Sequence, residues 1–204
     1  MRTSEPRPTR GWRTVKKFRR KSGAAVTRLS PYEVELLSSL VSQLVEMISD
    51  GEPETYAQPQ SDDPFELWAQ DLASDPDQPE AHEDPVLQRL FPNAYPHDDA
   101  ASSDFRRFTE RELKTTKVTD AQVVLARLAT TDLGTVELRV PAEEVQAWLR
   151  TLTSVRIAVA VRLGITDAES AEEMSQLPDD DPRSYMVSVY DWLGFAQETL
   201  IAAL

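Results

Sequence analysis

Two histidines, one dense run of cations and many carboxylates are the groups in this 204-residue chain that could do chemistry. His82 and His97 both sit among acids, the second in His97-Asp98-Asp99. Imidazole and carboxylate together can hold a divalent metal, but only where folding fixes their geometry. The sequence around them is polar and proline-bearing, so no metal site is predicted there. The six glycines stand apart at 11, 23, 51, 134, 164 and 194, a spacing that builds neither a dinucleotide fingerprint nor a phosphate-cradling loop. No serine lies between glycines on a strand-to-helix elbow, and neither histidine has an ordered apolar setting in which to act as a base. The lack of cysteine rules out a thiolate nucleophile, a thiolate metal site and a disulfide, and it fits a reducing cytoplasm. Catalysis, a cofactor and a bound metal are therefore not expected.

The cations are a different matter. Arg13, Lys16, Lys17, Arg19, Arg20 and Lys21 form the one dense basic cluster, and Arg106, Arg107 and Arg111 with Lys114 and Lys117 a smaller one. Such a cluster can bind phosphates or an acidic protein surface. It can equally be the solvated edge of a hairpin, where lysines discourage strand-to-strand aggregation, or meet acids of the same chain. In the second cluster Glu110 and Lys114 are one helical turn apart and can simply pair. Residues 1–28 carry ten Lys/Arg against one acid, Glu5, for about +9, whereas residues 29–204 carry about −22. The formal net charge of −13 thus describes neither half.

These groups need elements to hold them. Trp12 to Leu29 has two short β-prone segments about Ser22-Gly23 and predicts a β-hairpin, with a short helix as the competing reading. Ser30 and Glu33 form a capping box, and Val34, Leu37, Val41, Leu44 and Ile48 share one face of the helix that follows, up to Asp50-Gly51. Residues 50–104 hold 15 acids and one base, Arg89, too polar for a core of their own. Two apolar islands, Pro64 to Leu72 and Pro85 to Pro92, can each dock a helical turn or two. Thr109 and Glu112 suggest a second capping box, with Val118, Ala121, Leu125 and Leu128 facing inward as far as Thr130. Gly134 to Val140 alternates Val136, Leu138 and Val140 with Thr135, Glu137 and Arg139, the period of a strand that could join the hairpin.

Two long helices close the chain. The first is read from Pro141 to Leu163, with Gly164 as its left-handed cap and Val145, Trp148, Leu152, Val155, Val159 and Leu163 on one stripe. Its run Ile157 to Val161 is apolar on nearly every side and is placed at the centre of the core. The second starts at Asp181-Pro182, buries Met186, Val189, Leu193, Ala196, Leu200 and Leu204, and broadens that face with Tyr185, Tyr190, Trp192 and Phe195. The whole predicts a mainly α fold. It is a compact helical bundle with a small antiparallel β-sheet, made of the N-terminal hairpin plus a strand near 135–140, and a flexible acidic insert. Residues 1–11 form a disordered tail and 12–204 a single helical domain, with 51–102 largely extended. No signal peptide or membrane anchor is read at the N-terminus, and a cytoplasmic location is expected.

Five stretches occur in an order that resembles a known family. They are Ser30-Pro31-Tyr32-Glu33-Val34-Glu35-Leu36-Leu37, then Asp84 to Pro92 (DPVLQRLFP), then Phe105-Arg106-Arg107-Phe108-Thr109-Glu110. Ala147-Trp148-Leu149 with Arg156 and Arg162-Leu163-Gly164 comes next, and Tyr190-Asp191-Trp192-Leu193 with Gln197-Glu198-Thr199-Leu200 last. Over residues 12–204 the chain resembles the actinobacterial oxidative-stress regulator family AosR, formerly a domain of unknown function. The resemblance implies a cytoplasmic helical regulator that binds an alternative sigma factor and tunes stress transcription, with RNA polymerase or a sigma factor as protein partner. Family genes often neighbour a Clp adaptor and a metalloprotease of the sulfur-carrier pathway, which implies an adaptor role as an alternative. Direct binding of DNA through the basic hairpin is a further alternative. Sensing in the family is attributed to a cysteine pair. This chain has none, and Met1, Met47, Met174 and Met186 are poor substitutes.

Overall fold

A turn with two left-handed residues, Ser22 (φ 49°) and Gly23 (φ 74°), reverses the chain between β1 (Arg19–Lys21) and β2 (Ala24–Thr27). That backbone matches the twist of an antiparallel pair, so the hairpin reading holds over the helical one. The computed structural model describes residues 16–49, 82–92 and 99–204, with side chains for all of these except 99–108. The tail 1–11, Arg13, the Pro64 to Leu72 island, most of the acidic segment and His97 lie outside the described residues.

β3 (Leu138–Pro141) lies antiparallel to β2 in the order β1-β2-β3, with Ala25 opposite Arg20 and Val140, and Val26 opposite Arg19 and Arg139. One sheet face therefore carries Ala25, Leu138 and Val140 into the core together with Phe18. The other presents Arg19, Lys21 and Arg139 outward. The strand is shorter than the alternating pattern from Gly134 predicts. Thr131 stops the preceding helix, donating from its Oγ1 to Leu128 O (2.6 Å), and its own carbonyl accepts from Val136 N (2.9 Å). That tight loop leaves Val136 exposed and starts the ladder at Leu138.

Among the described residues six helices make up the bundle: α1 (Pro31–Ser49), α2 (Pro85–Leu90), α3 (Asp99–Ala129), α4 (Val145–Leu163), α5 (Ala168–Ser175) and α6 (Ser184–Ala202). The reciprocal capping box at α1 is present: Ser30 N donates to Glu33 Oε2 (2.7 Å) and Glu33 N to Ser30 Oγ (3.2 Å). All five residues read on its apolar face are buried. The six on the α4 stripe are buried as well, and Gly164 ends the helix in the left-handed region. The indole of Trp148 meets Phe18 edge-to-face (centroids 6.5 Å, 70°), joining sheet to helix. Trp192 is buried on α6, and Arg156 of α4 lays its guanidinium over Tyr190 (4.5 Å) beside Gly194.

Several boundaries differ from the expected ones. Pro141 ends β3 opposite Ala24, where a missing N–H costs nothing, and a 3-10 turn (Ala142–Glu144) precedes α4. The run Ile157 to Val161 is half-buried except for Val159. Asp181 does not cap α6. Its carboxylate instead takes the backbone amide (2.8 Å) and guanidinium (2.9–3.0 Å) of Arg183, and these bonds pull its pKa down to about 2. Thr109 and Glu112 lie inside α3 rather than at its start, because the helix begins at Asp99 and its own ladder already satisfies the amides a box would cap. Tyr185, Phe195 and Leu204 are exposed rather than buried.

Candidate partner-binding face

Six of the chain's cations gather around the hairpin. Lys16, Lys17, Arg19, Arg20, Lys21 and Arg28 line a shallow cleft of about 370 Å³ whose floor includes Val26 and Thr27. Thr27 Oγ1 donates to Lys16 O (2.6 Å), which ties the strand leading into β1 down over β2. Arg139 borders the cleft from β3 and donates to Ser22 O (2.9 Å) at the hairpin turn. One acid stands among them, Glu137, bonded by Lys21 Nζ at 2.9 Å. The Lys21 hydrogen bond first, then the fields of Lys21, Arg28 and Arg139, hold its carboxyl below the usual range. An exposed pair of this kind adds little stability, so its effect is on the shape of the positive field. Arg20 differs from its neighbours, donating to the backbone oxygen of Leu204 and so tying β1 to the end of α6.

Of the residues singled out from sequence, Lys16, Lys17, Arg19, Arg20 and Lys21 come together here. Arg13 lies outside the described residues, as do the side chains of Arg106 and Arg107 on α3. Arg111 is exposed on α3. Arg28 and Arg139 were not among the expected site residues. Alternation marks Arg139 as outward, but only the pairing register sets it against Val26.

The smaller basic patch on α3 has internal partners. Glu110 holds Lys114 (2.8 Å) and accepts from His82 (2.9 Å), all three nearly covered. The ammonium groups of Lys114 and Lys117 lie 5.8 and 5.9 Å from the Phe91 ring centroid. Lys117 also donates to Ser154 Oγ (3.3 Å), and burial pushes its pKa down. This cluster anchors α2, so His82 serves packing. Among the described residues no three His, Asp or Glu side chains are grouped so as to hold a metal ion. No helix among them is long and apolar enough to cross a membrane.

Asp84 caps α2, accepting from Val86 N (2.7 Å) and from Arg162 (2.6 Å). Burial alone would raise its pKa, but those bonds outweigh burial and hold it below the ordinary 3.8. A carboxylate with a depressed folded pKa adds stability that is present above its unfolded value and lost as pH falls through the folded one. Asp84→Ala should thus cost about 1 kcal/mol at neutral pH, the usual value of an N-cap. Because the Arg162 side chain is largely exposed, the ion pair adds little more. Denaturant titrations at several pH values should show the gap between variant and parent closing as pH falls through and below the ordinary carboxylate value of 3.8.

The model of the family described as a domain of unknown function, DUF2017, matches residues 14–204. A putative oxidative stress regulator AosR of Mycobacterium leprae is 30% identical over 189 residues, covering 86% of this chain and 80% of that protein. The oxidative stress regulators AosR of Mycobacterium tuberculosis and Mycobacterium bovis are 25% identical over 186 residues, with the same shares covered. No solved structure matches the chain. With its whole described fold inside the matched range, the chain belongs to the DUF2017 family, among whose relatives are the mycobacterial oxidative stress regulators named AosR.

Proposed function

We propose that this protein is a non-enzymatic regulator of stress-response transcription that acts by binding a sigma factor or RNA polymerase through the outer face of its sheet. The observation that carries the reading is the cationic face itself, with Lys16, Lys17, Arg19, Arg28 and Arg139 around a single carboxylate. The names of the relatives supply the regulatory context. Acidic protein surfaces are the complement of such a field, which accelerates encounter and fixes orientation.

The test is a pull-down from the native cell at physiological salt, comparing the parent with a variant carrying Arg19, Lys21, Arg28 and Arg139 each changed to Glu. Those side chains point away from the core, so the fold should survive, which circular dichroism can verify. The parent should retain a transcription protein and the variant should lose it by tenfold or more, on the order of what steering fields contribute. Recovery of no transcription protein by the parent sinks the reading.

The same cleft favours a second reading, direct binding of nucleic acid. It requires an affinity that falls steeply with added salt and depends on Arg19, Arg20 and Lys21. The charge of about −22 on residues 29–204 opposes it, since a polyanion must approach past that field.

A further inference from the structure

Without cysteine, oxidation chemistry in this chain must use other side chains. Trp148 and Trp192 are buried, and Tyr190 is half-buried beneath Arg156. Two tyrosines differ from these. Tyr32, in the first turn of α1, is 49% exposed, and Tyr185, in the first turn of α6, is 48% exposed. Their hydroxyl groups are in hydrogen-bond contact although 153 positions separate them in the chain.

We infer that Tyr32 and Tyr185 form an oxidisable pair that couples covalently, ring to ring, when a one-electron oxidant reaches them. The chemistry balances as follows. Each phenol gives up one electron and one proton to become a phenoxyl radical. Its unpaired electron is shared with the ring carbons next to the one bearing oxygen, each only two bonds from the hydroxyl. One such carbon from each ring forms a C–C bond. The hydrogen on each coupled carbon then moves to oxygen and restores both phenols. The net loss is two hydrogen atoms, which one hydrogen peroxide accepts to become two waters, with a haem peroxidase passing the electrons singly.

Geometry favours this pair among the described tyrosines because two side chains whose hydroxyls already touch react as one molecule, whereas isolated radicals must find each other by diffusion. The exposure of both rings gives the oxidant access and lets water take the protons. Burial, and then the hydrogen bond with Tyr32, push the Tyr185 pKa up to about 12. Tyr185 is consequently a phenol at neutral pH and must lose its proton together with its electron. The product would fasten the first turns of α1 and α6 to each other. This inference stands apart from the proposed partner.

The experiment treats the full chain with a haem peroxidase and limiting hydrogen peroxide. The monomer is then isolated and followed by dityrosine fluorescence and peptide mass mapping. The expected product is a monomer lighter by two hydrogens, in which the Tyr32 peptide is joined to the Tyr185 peptide. Tyr32→Phe and Tyr185→Phe should each abolish the monomer cross-link, while Tyr190→Phe should keep it. Phenylalanine preserves the ring, so loss of folding is not the cause of a negative result. A cross-link that persists in Tyr32→Phe, one that joins Tyr56 or Tyr95 in preference, or coupling only between chains would overturn the inference.

Discussion

Trp148→Ala should destabilise the fold by about 3 to 5 kcal/mol, the range for emptying a buried aromatic site. The side chain is 1% exposed and lies where α4 meets the sheet through Phe18. Its Nε1 finds no hydrogen-bond acceptor among the described residues, a cost of roughly 1 to 3 kcal/mol that the ring's packing has to exceed. The two contributions can be separated. Trp148→Phe keeps much of the ring and discards the unpaired N–H, so it should lose far less than the alanine variant. Leu113→Ala, on an exposed position of α3, should stay within about 0.5 kcal/mol of the parent. Denaturant unfolding decides this, and an alanine variant at position 148 within about 1 kcal/mol of the parent would mean the indole is not holding sheet and helix together.

Gly134→Ala should cost about 2 to 4 kcal/mol, from two sources that act together. The backbone there has φ 83°, a region in which a Cβ is strained. An added Cβ would also come within 2.5 Å of Leu29 O, 3.0 Å of Ser30 C and 3.1 Å of Pro31 N. All three are backbone atoms at the entry to α1, so none can rotate aside. Gly23 provides the control. Its φ is 74° but nothing lies within 4 Å of its would-be Cβ, so Gly23→Ala should show the conformational strain alone, about 1 kcal/mol. Comparable losses at the two positions, measured by thermal or denaturant unfolding, would show that the contact with the α1 entry is not tight.

The helix faces were legible because their period is a local property. Every residue of the Val34 to Ile48 and Val145 to Leu163 stripes is buried, and the hairpin turn at Ser22-Gly23 follows from its residue types. The termini were harder to read. Ser30 and Glu33 cap a helix while Thr109 and Glu112, with the same spacing, sit inside one. The difference is whether the chain upstream is already helical, which the four residues do not encode. The candidate face was legible only in part. The run from Lys16 to Lys21 is contiguous and visible, and the hairpin folds Arg28 back beside it, whereas Arg139 joins through a strand register set by residues more than a hundred positions apart. Tyr185 was misplaced because α6 begins at Ser184, with the Asp181 carboxylate bonded to Arg183 instead of capping the helix, and the ring lies toward Tyr32 and solvent.

The central strand β2 has one neighbour just before it in the chain and another beginning at Leu138. A two-stranded hairpin alone is marginal in water, so the cationic surface cannot set until the ribosome has released the chain past Pro141. A nascent or partly unfolded copy presents the same lysines and arginines on a wandering segment, without the rigid spacing a partner would match. On the proposed reading, recognition at this surface is conditional on completed folding, and a damaged copy would fall silent before it could compete.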